Sequence, residues 1–97
     1  MMNNNYLGNV RQWQDMFFGQ RKSFTRMLNP KYNLIAEAYA IPYALVSERE
    51  DLKSAVDKML VTDGPYILEC VIKEDDNVRP MTPPGKSVEE MLLEIEI

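Results

Sequence analysis

The sequence predicts an α/β fold built on a small parallel sheet, and three observations carry that prediction. Tyr66 to Ile72 is an apolar run broken only by Glu69 and rich in β-branched side chains, the pattern of a strand buried on both faces. The segment before it, Ser47 to Gly64, sets Leu52, Ala55, Val56, Met59 and Leu60 at the spacing of one helical face. Upstream, a second helical face of Leu34, Ile35, Ala38 and Tyr39 precedes the short strand candidate Tyr43 to Val46. Helix, strand, helix and strand with short joints make the right-handed crossover unit of a parallel sheet.

In chain order, Met1 and Met2 run directly into Asn3-Asn4-Asn5-Tyr6-Leu7-Gly8, the end of a strand passing into a Gly-containing loop. A strand with two residues left reads as one cut short, so the chain is expected to begin inside a larger sheet. Leu7, Val10, Trp13, Phe17 and Phe18 form the face of the following helix. Asn29-Pro30 is a helix start, and Ile41-Pro42 ends that helix. Ser47 and Glu50 have the capping-box spacing, while Gly64-Pro65 supplies a left-handed residue and then one that cannot continue the helix. Glu74-Asp75-Asp76-Asn77 is polar, and Arg79 to Gly85 is Pro-rich and expected to be extended. Ser87 and Glu90 repeat the capping-box spacing, and Val88, Met91, Leu92 and Ile95 predict a short amphipathic C-terminal helix.

Ninety-seven residues hold at most one domain, at roughly 150 residues per domain. Composition is that of an ordinary globular chain, 45% hydrophobic and 27% charged. The net charge of −4, without a basic block, argues against nucleic acid as a partner. No apolar run reaches the roughly 20 residues of a membrane span and no signal-peptide order is present, so no membrane partner and a cytoplasmic location are expected. With no His and one Cys, zinc sites of the usual ligand sets and His-based nucleophile pairs are excluded. Any metal must be held by oxygen. Glu37, Glu48 and Glu50 read as solvated helix and cap residues, and Cys70 as a small core side chain.

Three consecutive Asn at a strand-to-helix junction admit two readings. Asn tolerates left-handed backbone and caps helices, so the run can be a plain turn. Alternatively, Asn and backbone oxygens can help complete an octahedral Mg²⁺ site, with the N–H groups of the following helix facing a phosphate. The continuation favours the second reading. Asn3-Asn4-Asn5-Tyr6-Leu7-Gly8-Asn9-Val10-Arg11-Gln12-Trp13-Gln14 and Phe17-Phe18 resemble the second half of the thiamine-diphosphate motif in the catalytic subunit of acetolactate synthases (acetohydroxyacid synthases). The resemblance continues through Ser23-Phe24-Thr25, Asn29-Pro30, Ile35-Ala36-Glu37-Ala38-Tyr39, Asp63-Gly64-Pro65 and Asn77-Val78-Arg79-Pro80-Met81-Thr82-Pro83-Pro84-Gly85, nearly the whole chain in the family's order.

The resemblance implies the C-terminal portion of a parallel-sheet, Rossmann-like three-layer thiamine-diphosphate-binding domain over residues 1–97, with two to three strands and flanking helices. Residues 74–97 would form its Pro-rich tail and short terminal helix. By position, the Asn4 side chain and the Tyr6 carbonyl would be Mg²⁺ ligands, and Asn4, Tyr6, Leu7, Gly8 and Asn9 would line thiamine diphosphate. Gly8 suits close approach of backbone to phosphate. Trp13 would shape the substrate channel; without the resemblance it reads as a core aromatic. Asn9 stands where many members have Met, Ala40 where Gly commonly ends a helix, and Lys31 where an acidic residue is common.

The family's Gly-Asp-Gly, whose Asp is the charged Mg²⁺ ligand, does not occur, and its activating Glu belongs to another domain. No catalytic residue is therefore assigned. Implied for the intact enzyme are the condensation of pyruvate with pyruvate or 2-oxobutyrate with loss of CO₂, in branched-chain amino acid biosynthesis, and partnership with a second catalytic subunit and a regulatory subunit. This chain is expected to be inactive alone and to need the remainder of the catalytic subunit or a homo-oligomer. The alternative is a non-catalytic interaction module retaining part of the fold.

Overall fold

The computed structural model describes residues 1–94. They contain the strands β1 (Met2–Asn3), β2 (Tyr43–Val46) and β3 (Ile67–Val71), the helices α1 (Gly8–Phe17), α2 (Tyr32–Ala38) and α3 (Arg49–Val61), and a 3-10 turn at Val88–Glu90. Two compact units are formed, one from Met1–Asn5 with Leu28–Lys73, the other from Tyr6–Met27 with the segment from Glu74 onward.

The first unit holds the sheet. Its strands are all parallel in the order β1-β3-β2, with Met2 opposite Cys70, Asn3 opposite Val71, and Tyr43 to Val46 opposite Ile67 to Cys70. The apolar run thus becomes the central strand, as its sequence pattern requires. Ala36, Val46 and Leu68 form the buried apolar core. Side chains alternate across a pleated strand, and on the face opposite Leu68 and Val46 the chain leaves Leu45 and Val71 exposed. Cover on both faces, expected of β3, is therefore incomplete in this chain.

Both helices of this unit depart from their sequence pattern. In α2 the buried residue is Ala36, while Leu34, Ile35 and Tyr39 are exposed; a small side chain lets the helix approach β2 closely. Ala40 closes α2 at φ +53, its N–H donating to the Glu37 carbonyl at 3.0 Å. In α3, Ala55, Val56 and Met59 are half-buried, whereas Leu52 and Leu60 remain exposed. A three-strand sheet covers only the middle of that stripe. The helix starts one residue later than the Ser47–Glu50 spacing predicts, with Glu48 as its N-cap and no side-chain cap. That shift adds Asp51 to Glu50 in the first turn, where carboxylates complement the helix dipole. The helix ends before the expected Gly64-Pro65 stop, at Val61 with an extended Thr62 as its C-cap, and Gly64 takes the left-handed region, at φ +95, in the turn beyond it.

The second unit is built on α1. The Ser87–Glu90 capping box forms, with the Ser87 N–H donating to Glu90 Oε2 at 3.1 Å. Helical structure stops there: Met91 is extended, and Leu92 exchanges backbone hydrogen bonds of 3.0 and 2.8 Å with Met81. An amphipathic helix through Met91 and Leu92 is replaced by this bridge, which satisfies the backbone that a single turn leaves open; Ile95 lies outside the described residues. Among the described residues no helix is long and apolar enough to cross a membrane.

Candidate functional site

In the first unit, the Asn run sits at the C-terminal end of β1. Asn5 takes φ +58, a conformation that Asn tolerates better than most L-residues. Its N–H donates to Asn3 Oδ1 at 3.0 Å, a local Asx-type closure. Asn29 donates from Nδ2 to the same Asn3 oxygen at 2.8 Å and to Asn5 Oδ1 at 3.2 Å. Asn29 therefore ties the loop instead of capping α2, whose N-cap is Lys31. Asn4, half-buried, lies between the two tied residues.

A second polar group supports the same loop. Glu69, 7% exposed in the central strand, accepts from Asn3 Nδ2 at 2.9 Å and from the Tyr43 hydroxyl at 2.5 Å. Partial burial, with the hydrogen bond to Glu69 and its charge adding to the effect, pushes the Tyr43 hydroxyl up to about 12. A buried carboxylate is tolerable only when hydrogen-bonded, and both of these partners come from neighbouring strands. In the sequence pattern Glu69 reads only as an interruption of the strand. Its signal was available, since a lone acid in a seven-residue apolar strand demands buried partners.

In the second unit, α1 opens at Gly8. Leu7 is its N-cap, no side chain caps it, and its first turn carries no acidic residue. The Leu7 N–H instead donates to the Thr25 carbonyl at 2.8 Å. Tyr6 is half-buried beneath the Arg11 guanidinium, 4.2 Å from the ring centre. Gly8 is half-buried, and Leu7 and Asn9 are exposed.

The Val-Arg-Gln-Trp-Gln run proves to be a set of clamps. Gln12, 3% exposed, donates to the Val78 carbonyl and accepts from the Val78 N–H, both at 2.9 Å. Arg11 donates to the Glu74 carbonyl at 2.7 Å. Gln14 donates to the Ser23 carbonyl at 2.9 Å and accepts from the buried Thr25 hydroxyl at 3.0 Å. Asp15 pairs with Lys22 at 2.8 Å. The polar side of α1 is thus the covered side. Its apolar face of Leu7, Val10, Trp13, Phe17 and Phe18, expected to pack inward, is exposed in this chain. Trp13 stands edge-on to Phe17 with ring centres 6.0 Å apart. It borders a hollow of about 380 Å³ shared with Val10, Gln14, Phe18 and Arg21, so in this chain it is not a core aromatic.

Residues 1–70 match the family of the thiamine pyrophosphate enzyme, C-terminal TPP binding domain. The chain belongs to this family. Within it, this thiamine pyrophosphate domain is 42% identical over 93 residues to the acetolactate synthase isozyme 2 large subunit of Escherichia coli (strain K12), covering 95% of the chain and 17% of that protein. It is 37% identical over 94 residues to the acetolactate synthase large subunit of Porphyra purpurea, 95% of the chain and 16% of the relative. Identity to acetolactate synthase 2, chloroplastic, of Nicotiana tabacum is 36% over 102 residues, 97% of the chain and 15% of the relative. The chain spans about one sixth of the length of these curated relatives.

The residues of this thiamine pyrophosphate domain fit the two parts of such a cofactor unequally. An uncapped ten-residue helix opening on Gly8, without a first-turn acid, is chemically suited to a diphosphate, because its leading N–H groups and dipole favour an anion. Magnesium fits less well. It prefers six oxygens including at least one carboxylate, and among the described residues no group of three acidic, Cys or His side chains could hold a metal.

Proposed function

We propose that this chain forms the diphosphate-side lip of a thiamine-diphosphate site in an acetolactate synthase catalytic subunit. The observation that carries the reading is the uncapped start of α1 at Gly8, directly after an Asn run whose conformation is tied by Asn29. Leu7, Gly8 and Asn9 would lie along the diphosphate, with the Gly8 and Asn9 N–H groups donating to it. By the family resemblance, the Asn4 side chain and the Tyr6 carbonyl would supply two neutral ligands to Mg²⁺, the charged ligand coming from elsewhere in the subunit. Trp13, exposed beside its apolar hollow, would border the substrate channel.

When bound, thiamine diphosphate supplies the chemistry that joins two 2-oxo acids with loss of CO₂, for branched-chain amino acid synthesis, in the cytoplasm. This chain's residues would orient the diphosphate and shield the channel. Lacking Gly-Asp-Gly and an activating Glu, it is inactive alone and works with the remainder of a catalytic subunit, its second copy and a regulatory subunit. Trp13 is the only tryptophan, so its fluorescence reports on the lip directly. Addition of thiamine diphosphate with Mg²⁺ to the chain combined with the upstream part of a catalytic subunit should change Trp13 emission and yield acetolactate from pyruvate. Turnover by the chain alone would refute the inactivity claim, and no response in the combined sample would refute the site.

The exposed face of α1 favours a second reading, a docking module without catalysis of its own. That reading predicts complex formation with the upstream part without acetolactate synthesis.

A further inference from the structure

Tyr43, Glu69 and Asn3 occupy one face of the sheet, one on each strand. Tyr43 pairs with Ile67 and Asn3 with Val71, so each sits diagonally from Glu69, on opposite sides of it along the strand. Glu69 spends one carboxylate oxygen on each: Oε2 on the Tyr43 hydroxyl and Oε1 on Asn3 Nδ2. A carboxylate accepts only, and a primary amide is a donor at one end and an acceptor at the other. With its NH₂ end held by Glu69, Asn3 must turn its oxygen the other way. That oxygen is the acceptor for the Asn5 N–H and for Asn29 Nδ2. A flipped Asn3 would set its oxygen against the carboxylate and its NH₂ against two further donors, losing all three bonds.

We infer that Glu69 is a positioning residue for the Asn3–Asn5 loop, acting through Asn3 to hold the left-handed Asn5 and so to fix where Asn4 lies. The role in positioning Asn4 as a ligand rests on the function proposed above. Tyr43 completes the device by holding the Glu69 side chain from the opposite side. Every bond of the row is made between side chains and backbone of this chain, and a loop held in this way would save the cost of ordering it at the binding step.

Amide hydrogen exchange of the full chain, followed by NMR, tests this without ligand. Glu69→Leu keeps comparable volume and removes the acceptor; the Asn5 amide should exchange at least tenfold faster, while Val56 and Met59 in α3 keep their rates. Glu69→Gln can present its oxygen to Asn3 and its NH₂ to the Tyr43 oxygen, and should restore Asn5 protection to within about threefold. A purely space-filling role predicts instead that Leu serves as well as Gln, and that result would overturn the inference. Should Glu69→Leu lose its α3 protection as well, Tyr43→Phe decides: faster exchange at Asn5 supports the device, and an unchanged Asn5 overturns it. A titration of the wild-type chain, joined to the upstream part of a catalytic subunit, with thiamine diphosphate and Mg²⁺, followed at the Asn4 side-chain amide, separates the two claims. Absence of any shift there removes the proposed function, while Asn5 exchange still decides the part of Glu69.

Discussion

Ala40 holds φ +53 at the end of α2, where its Cβ crowds the neighbouring carbonyl at a cost of roughly 1–2 kcal/mol that glycine does not incur. Replacing it with glycine also loosens the unfolded chain, which offsets part of the gain. Ala40→Gly should therefore raise stability by about 1 kcal/mol, read as a higher urea midpoint with unchanged slope. Tyr43 gives a pH signature. Its hydroxyl ionises near 10 when free and about 12 in the fold, so the folded state keeps a proton that the unfolded state releases. The stabilisation is present in full below pH 10 and is lost as pH rises from 10 to 12. In denaturation series across that window, the wild type should lose stability more steeply than Tyr43→Phe; parallel curves would show that burial and the Glu69 contact do not hold the proton in the fold. Ala40 was legible in the sequence, because Ile41-Pro42 marks the helix end just beyond it. The partners of Tyr43 were not, since Glu69 lies 26 residues away.

At the scale of elements, α1 carries the sharpest contrast between pattern and packing. Leu7, Val10, Trp13 and Phe17 have ideal helical spacing, yet Gln12 is the buried residue. Periodicity locates a face and says nothing of what covers it. Gln12 is covered because its amide replaces both backbone partners that the Pro-rich tail lacks at Val78. Gln12→Ala would remove both bonds and leave the N–H and carbonyl of the exposed Val78 to water, at a net cost of about 0.5–1.5 kcal/mol for each bond. The expected result is a lower denaturation midpoint with accelerated exchange at the Val78 amide. An exchange rate at Val78 equal to that of the wild type would count against the clamp. In α2, Lys31 is an N-cap with no side-chain bond and a charge opposed to the dipole. Lys31→Asp should add about 1 kcal/mol, measurable as a raised thermal midpoint. For α3 the helix was legible but its start was not, because Ser47, Glu48 and Glu50 offer competing caps and only the packed length of the helix chooses among them.

For the whole molecule, the exposed row of Val10, Trp13, Phe17 and Phe18 leads to the prediction that the isolated chain self-associates. Light scattering should give a mass above the 11.3 kDa monomer that rises with concentration. Val10→Glu combined with Phe17→Glu should return it to the monomer, and an unaltered mass would remove this face from the contact. The amino-acid sequence by itself determined the family, the central strand at Tyr66 to Ile72, the strand at Tyr43 to Val46 and the left-handed turn at Gly64, because local periodicity, turn chemistry and motif order are properties of neighbouring residues. It also placed the Asn run between a strand end and the helix that carries Val10, Trp13 and Phe17. Only the tertiary structure decided which side of α1 is covered, that Asn29 ties the Asn run instead of capping α2, and that Glu69 joins three strands through Tyr43 and Asn3. Those outcomes depend on hydrogen bonds between residues 24 to 66 positions apart, and a polar side chain reveals its partner only when the chain has folded and water can no longer take that place.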